Sequence, residues 1–488
     1  MAKPRKHTRR RFLGGAAVGA AGVAAGPSFA AAAAPQPPDV PATQASQRTA
    51  NPVLAHMLSG GNLRNHLPGL DTSADFLVAP GGNGIFVEKH NSVSIAAFTY
   101  ERPTEVRITC RKEVGNWRVL PRRHAPAQVT QAGNTLTFRL DGPRKLWIEA
   151  DDVDPLLLFA ELAEQDPPRK SAPGVRYFAP GKHNPGVIEL HDGETIYLAE
   201  GAYVYGGIKG SPKQARILGR GVLDGSCLAR PDKVIFLSEA RDVLVEGITV
   251  RNGPGWTCLV RGSEKITFRN VKVISFGRNG DGINPVSSSD MTIEDCFFRC
   301  ADDCMAAKLE WERGRPAANV ERLTVRGCVM GGWLYADGFT IGFAGARAAV
   351  RDVLVRDCDI LYARGNSGVK GHSAFSVILT GPTEVSNVRF EDIRVEGDVW
   401  KNFELNATGH TSGQQMPARP GPGGRIKGVH LRNVAWAAQR PIILRGHDAD
   451  HLVEDVTFEN CTVAGQKLTA VEKPLFDVNE HVRGIKFA

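Results

Sequence analysis

"VLVRDCDI", residues 353–360, is one of eight segments that align without gaps between residues 243 and 463. Apolar residues occupy the first, third, sixth and eighth positions of every segment, and the fifth position is always Gly, Asn or Asp. The other segments begin at Val243, Ile266, Met291, Leu323, Val388, Val429 and Val456. The fifth positions are Gly247, Asn270, Asp295, Gly327, Asp357, Asp392, Asn433 and Asn460.

This pattern predicts a solenoid of β-strands. Alternate apolar residues place one face of each strand in a core. The break in alternation between the third and sixth positions requires a bend, and Gly, Asn and Asp adopt the left-handed backbone of such a bend at the lowest cost. Successive segments start 23 to 41 residues apart, and no segment can bury its apolar face alone. We therefore predict an all-β chain in which residues 173–488 form a right-handed parallel β-helix.

The part of the chain before the β-helix has a different pattern. Short alternating segments such as "SVSIAAFTY" and "TLTFRLD" are separated by turn residues, with no amphipathic helix between them. This pattern predicts an antiparallel β-sandwich over residues 51–172. The polar, proline-rich stretch "PQPPDVPATQASQRTA", residues 35–50, is typical of a linker.

Residues 1–34 are predicted to be a twin-arginine signal peptide. Thr8 to Leu13 read "TRRRFL", and a weakly apolar run rich in Gly and Ala follows. We therefore expect export to the cell envelope or beyond, with no membrane attachment after cleavage. The formal charge is +8, and six basic residues without an acid lie in this stretch. Because the remainder carries only about +2, we expect no nucleic-acid partner.

The nine cysteines are predicted to be mostly core residues. Five lie within the apolar strand patterns, where a free thiol packs as a small hydrophobic group; they are Cys258, Cys296, Cys328, Cys358 and Cys461. The spacing of Cys296, Cys300 and Cys304 lacks the paired CxxC of zinc sites, so we expect no metal. A local disulfide, which an exported protein can form, is kept as an alternative.

Three acidic residues follow two successive segments of the predicted solenoid. Asp281 lies in "NGDG", and Asp302 and Asp303 lie in "CADDCMAAK". Because neighbouring coils are about 4.8 Å apart, we expect these carboxylates to face one cleft at roughly 5–10 Å, the range of inverting glycoside hydrolysis. Adjacent residues on a regular strand point in opposite directions, so Asp302 and Asp303 require a bend. A calcium site and a solvated turn are the alternatives.

These motifs resemble those of a known family. "NGDG…CADDCMAAK" is similar to the "NTDG…GDDC" signature of polygalacturonases, and the two-domain layout resembles the related dextranases. The resemblance implies an inverting glycoside hydrolase without a cofactor. It implies that Asp302 is the general acid and that Asp281 and Asp303 hold and deprotonate the attacking water. It also implies substrate contacts by Asn279 and by Lys308, which matches a lysine of bacterial members.

The chain departs from the polygalacturonase pattern at two positions. Asp337, in "ADGFTIG", stands where the family has a histidine, and Lys370 alone represents the family's Arg-Ile-Lys. Both changes favour a neutral or unusual glycan over pectin. The further residues expected to bind substrate are Arg364 and His372, which flank Lys370, and Trp333 and Tyr335, whose rings can stack on sugars.

Two other functions stay open at this point. One is a β-helix polysaccharide lyase, which would use its acids to bind calcium and would need a uronate substrate. The other is a glycan-binding solenoid without catalysis. The preferred interpretation is a secreted hydrolase acting on a polysaccharide or oligosaccharide. The sugar, the linkage, endo or exo cleavage and the oligomeric state do not follow from the sequence.

Overall fold

The computed structural model describes residues 70–309, 317–333, 336–344, 346–364, 372–408 and 424–488. The predicted signal peptide and linker, the first part of the predicted sandwich, Tyr335 and Lys370 lie outside these residues. Among the described residues, no helix is both long and apolar enough to cross a membrane.

Two sheets form the N-terminal part of the described chain. One contains, in spatial order, Phe76–Pro80, Thr104–Cys110, Thr135–Leu140 and Val129–Ala132. The other contains Glu88–His90, Val93–Thr99, Val153–Glu161, Arg144–Ala150 and Trp117–Leu120, with a short 3-10 helix at Arg122–His124. Buried residues of both sheets, among them Val106, Phe138, Ile148 and Leu156, share one core. The predicted β-sandwich is therefore confirmed.

One pairing in the sandwich differs from the prediction. Val93–Thr99 pairs with Val153–Glu161 in parallel, from Ser94 opposite Leu156 to Thr99 opposite Glu161. The expectation of a purely antiparallel sandwich was wrong here. The two strands are far apart in sequence, and the chain visits the other sheet between them. This long connection allows a parallel return, which a hairpin cannot.

The remaining strands coil into a parallel β-helix with three faces. The first face is a sheet of twelve strands within the described residues. Its strands are Val175–Phe178, Thr195–Leu198, Lys213–Gly219, Arg241–Glu246, Glu264–Arg269, Ser289–Glu294, Val320–Arg326, Ala349–Arg356, Thr383–Glu391, Gly424–Arg432, Val453–Glu459 and Val482–Phe487. All its neighbouring strands pair in parallel.

The eight aligned segments cross from this first face to the second: their first four residues lie in first-face strands, and the fifth forms the bend. Their first residues are in register from coil to coil, for example Leu323 opposite Val353 and Val388 opposite Val429. All eight fifth positions have a positive φ, between 49° at Asn460 and 83° at Gly247. The left-handed bend that the sequence predicts is therefore present in every one of these coils.

The second and third faces belong to one continuous sheet. Gly181–Glu189 and Ala202–Gly210 open it. The second face continues with Val222–Asp224, Thr249–Arg251, Lys272–Ile274, Phe297–Cys300, Val329–Gly332, Asp359–Ala363, Arg394–Val395, Ala435–Trp436, Thr462–Val463 and Gln466–Lys467, and a 3-10 helix lies at Gly225–Cys227. The third face contains Ile235–Ser238, Cys258–Arg261, Ile283–Val286, Met305–Ala307, Phe339–Ala344, Ser373–Leu379, Lys401–Asn406, Ile442–Arg445 and Phe476–Val478.

The sandwich packs against the second face. Trp147 and Phe159 of the sandwich share a buried cluster with Phe297, Leu361 and Tyr362 of the β-helix. The ring centroids of Trp147 and Tyr362 are 5.5 Å apart, and those of Phe159 and Phe297 are 5.1 Å apart. Phe297 lies on Phe297–Cys300, the strand that precedes Asp302 and Asp303, so part of this cluster packs on the strand that leads into these acidic residues.

The cysteines behave as the sequence predicts. All nine lie in the described residues and are free thiols, and all except Cys227 are buried. Cys296, Cys328, Cys358 and Cys461 occupy the sixth, core-facing position of their segments. The local disulfide left open by the sequence is not formed.

Candidate active site

Three aspartates stack on successive coils at the start of the third face. Asp281, Asp303 and Asp337 each lie two residues before a strand, and the strands' first residues, Ile283, Met305 and Phe339, are in register. Backbone hydrogen bonds extend this register, from Gly282 N–H to the Asp303 carbonyl (2.8 Å) and from Cys304 N–H to the Asp337 carbonyl (2.9 Å). The backbones of these three residues are therefore about 4.8 Å apart from one coil to the next.

Glycine allows this close stacking. A Cβ atom at Gly282 would lie 2.3 Å from the Cys304 carbonyl oxygen, a distance that no side chain tolerates. The glycine after Asp281 therefore keeps two coils in register at the point where the acids face each other on neighbouring coils.

Asp302 lies beside the column of acids formed by Asp281, Asp303 and Asp337, in a bend of the chain at Ala301 and Asp302. Its Oδ1 accepts a hydrogen bond from the Asp303 N–H at 3.0 Å. Burial, followed by the negative charge of Asp281, raises the pKa of Asp302 to about 7, although His372 and Lys308 act in the opposite direction. A carboxyl group that keeps its proton near neutral pH can serve as a general acid.

Asp281 has the opposite environment. Its Oδ2 accepts hydrogen bonds from the Asn284 amide (2.9 Å) and from the Lys308 ammonium (3.1 Å). Lys308 Nζ also lies 4.0 Å from the centroid of the Trp256 ring. Burial disfavours the charge of Lys308, but the charge of Asp281 and its hydrogen bond outweigh this effect and raise the pKa of Lys308. Asp281 and Lys308 therefore form a buried ion pair.

Asp303 is buried between acidic neighbours. Its Oδ1 accepts a hydrogen bond from the Asp337 N–H at 2.9 Å. Burial raises its pKa well above the usual range, and the charges of Asp302, Asp337 and Asp281 add to this effect. Asp281 and Asp303, given the same role by the family resemblance, thus have different electrostatic surroundings.

Asp337 and His372 form a buried hydrogen-bonded pair. The Asp337 Oδ1 accepts from the Ser373 N–H (2.7 Å) and from His372 Nδ1 (3.2 Å), and its Oδ2 accepts from the Ser376 hydroxyl. Because a carboxylate can only accept, the His372 Nδ1 carries the proton of this bond. His372 therefore lies beside Asp337, the residue that the sequence resemblance places at the position of a polygalacturonase histidine.

The residues that come closest to a metal-ligand set in the described part of the chain are Asp303, Asp337 and His372. One side-chain atom from each lies within 4.8 Å of the others. However, both oxygens of Asp337 already accept hydrogen bonds from protein groups, and His372 Nδ1 faces one of them. We therefore interpret the three residues as a hydrogen-bonded chain, and the expectation of a metal-independent site stays a prediction.

Three residues expected to bind substrate have other partners in the structure. Asn279 is an exposed turn residue with φ 56°, and its Oδ1 lies 3.4 Å from the Arg230 guanidinium. Trp333 stacks on Trp147 of the sandwich, with ring centroids 6.1 Å apart. Arg364 lies over the Trp333 ring, 4.9 Å from its centroid. Trp333 and Arg364 thus pack at the boundary between the sandwich and the β-helix, and substrate contact by these three residues stays a prediction.

Sequence reasoning missed part of this site. It expected Asp281, Asp302 and Asp303 to face one cleft, but it did not predict that Asp303 and Asp337 are the residues in register with Asp281. A signal was present, because each acid begins a triplet of acid, small residue and apolar residue: Asp-Gly-Ile, Asp-Cys-Met and Asp-Gly-Phe. No sequence pattern predicts the hydrogen bond from Asn284 to Asp281 or the one from Ser376 to Asp337.

Comparison with known proteins identifies the family. Residues 219–475 match the profile of the family described as "Glycosyl hydrolases family 28". The chain is 33% identical over 230 residues to a "Probable polygalacturonase" of Vitis vinifera, covering 42% of each chain. It is 25% identical over 230 residues to a "Probable endo-xylogalacturonan hydrolase A" of Neosartorya fischeri, covering 43% of this chain and 53% of that protein. The chain thus spans about half, or less, of the length of these relatives.

A solved structure agrees with the fold. Dex49A from Penicillium minioluteum superposes with a TM-score of 0.56 and 14% identity, covering 88% of this chain and 97% of that one. At this level of identity the likeness concerns the fold alone. The family profile, in contrast, spans more than half of the chain and includes all four acids of the site. The chain therefore belongs to the glycosyl hydrolases family 28.

Proposed function

We propose that the protein hydrolyses the O-glycosidic bonds of a polysaccharide or oligosaccharide with inversion at the anomeric carbon. Membership of family 28 and the resemblance to polygalacturonases and dextranases support this proposal. The observation that carries it is the contrast between two acids of one site. Asp302 has a pKa of about 7 and so keeps its proton near neutral pH, whereas the Asp281 Oδ2 lies 3.1 Å from the Lys308 Nζ.

This contrast supplies an acid and a base for a single displacement. Asp281 takes a proton from a water molecule, and the water oxygen forms a bond to the anomeric carbon. The bond from that carbon to the leaving oxygen breaks, its electron pair stays on the oxygen, and Asp302 donates its proton there. Asp281 ends protonated and Asp302 ionised, and exchange with solvent restores both.

The experiment is a substrate screen followed by stereochemistry. Purified protein is incubated with dextran, pullulan, polygalacturonate, arabinan and galactan, and new reducing ends are measured. For the substrate that is cleaved, proton NMR follows the first anomer formed, and we expect the configuration opposite to that of the bond. Retained configuration would contradict the mechanism, and unsaturated, ultraviolet-absorbing products would indicate a lyase. Loss of all cleavage in Asp302→Asn would show that the protein itself catalyses the reaction. A glycan-binding solenoid without catalysis would have no cleavage to lose.

We also propose that the protein is exported by the twin-arginine route. The basic residues and the apolar run of residues 1–34 support this part of the proposal. Residues 1–50 fused to a folded reporter should carry it out of the cytoplasm, and replacing Arg9, Arg10 and Arg11 by Lys should abolish this. Export of the substituted fusion would contradict the proposal.

A further inference from the structure

The column of acids contains one member whose surroundings do not suit a base. Asp281 has a cation at 3.1 Å, whereas no cationic side chain among the described residues has a hydrogen bond to Asp303. In the described part of the chain, the donor to a carboxyl oxygen of Asp303 is the Asp337 N–H, which reaches Oδ1 at 2.9 Å and leaves Oδ2 to carry a proton. Asp303 is also buried.

Burial and the charge of Asp302 disfavour ionisation of Asp303, and Asp337 adds to both effects. Asp337 lies one coil from Asp303, about 4.8 Å along the stack, and accepts three hydrogen bonds on its two oxygens, as an ionised carboxylate does. Ser376, one of these donors, is itself 2.8 Å from the Thr340 hydroxyl. A fixed negative charge next to a second buried carboxyl disfavours ionisation of that second group.

We propose that Asp303 acts as a neutral carboxylic acid that positions the attacking water or the sugar, and that Asp281 alone is the base. This inference rests on the proposed function and divides the roles that the family resemblance gives to both residues. The charged groups that face Asp303 are Asp302, Asp337, Asp281, Lys308 and His372. Three of them are acids, and Lys308 is already bound to Asp281.

The division changes how the proton moves. The water proton passes only to Asp281, and Asp303 keeps its own proton throughout, donating a hydrogen bond as the new bond to the anomeric carbon forms. Asp303 is therefore a positioning residue. An amide can replace a neutral acid in this role because it also donates a hydrogen bond, but it cannot replace a base.

The first test compares Asp303→Asn with Asp281→Asn. We expect kcat to fall roughly tenfold in Asp303→Asn and about a thousandfold in Asp281→Asn, the range that a general base contributes. Azide is a nucleophile that needs no deprotonation, so it should restore turnover only in Asp281→Asn and yield the inverted glycosyl azide. Equal losses in both variants, with azide rescue of Asp303→Asn, would overturn the proposal. Asp152→Asn, at an exposed turn, is the matched control.

The second test needs no substrate. Infrared spectra of the wild type, at a pH well above the pKa of Asp302, should contain the C=O stretch of a neutral carboxylic acid that disappears in Asp303→Asn. If that variant does not fold, Asp337→Asn provides the assignment, because loss of the neighbouring charge should make the band titrate at lower pH. A wild type without the band would refute the neutral Asp303. Absence of cleavage with the band present would instead contradict the proposed function.

Discussion

Replacing the proposed general acid should stabilise the protein at alkaline pH. Asp302 has a pKa of about 7 in the folded protein, against an ordinary value of 3.8. Between these values the folded state holds a proton that the unfolded state lacks, so the free energy of unfolding falls as pH rises. At about 1.36 kcal/mol per pKa unit, the full loss is about 4 kcal/mol above pH 7. The amide introduced by Asp302→Asn has no such proton to lose, and it keeps an oxygen that can accept from the Asp303 N–H.

Chemical unfolding of the wild type and Asp302→Asn at a series of pH values measures this effect. We expect nearly equal stability around pH 4 and an advantage for the variant that grows to about 4 kcal/mol above pH 7, together with loss of glycan cleavage. Asp152→Asn, an exposed substitution, should show no pH-dependent difference. A constant difference between wild type and Asp302→Asn across the series would refute the argument that the site strains this carboxyl group.

The same structure predicts four further outcomes. Activity of the wild type should decline as pH rises through about 7, because Asp302 then loses the proton it must donate; a kcat/KM profile flat through that pH would contradict its role. Lys308→Met should destabilise the fold by roughly 3–5 kcal/mol, the cost of leaving a buried charge unpaired, and abolish cleavage, with Lys308→Arg as the control in denaturant unfolding. Asn433→Val should cost about 1–2 kcal/mol because of its φ of 53°, whereas Asn433→Gly should be tolerated in the same thermal assay. A thiol reagent should modify only Cys227 in the native protein and all nine cysteines after unfolding; rapid labelling of several native thiols would contradict the packed core.

The sequence by itself determined the repeating unit of this protein. A left-handed bend is a local preference of Gly, Asn and Asp, and the alternation of apolar residues is a local property of a strand. Both are therefore readable in "VLVRDCDI" and its seven counterparts, from Gly247 to Asn460. The same segments predict that Asp281, Asp302 and Asp303 lie near one another, because each of these residues comes soon after such a segment.

Only the tertiary structure decided which residues meet between coils. The loops between segments differ in length, so distance along the chain does not give the register of Asp281, Asp303 and Asp337. The pairing of Asp337 with His372 and the stacking of Trp333 on Trp147 join residues from different coils and from different sheets. The parallel pairing in the sandwich also depends on the tertiary structure. Val153–Glu161 joins Val93–Thr99 only after the chain has crossed to the other sheet. The contacts of His372, of Trp333 and of this strand depend on how whole coils and sheets pack, and no local pattern of residues encodes that long-range packing.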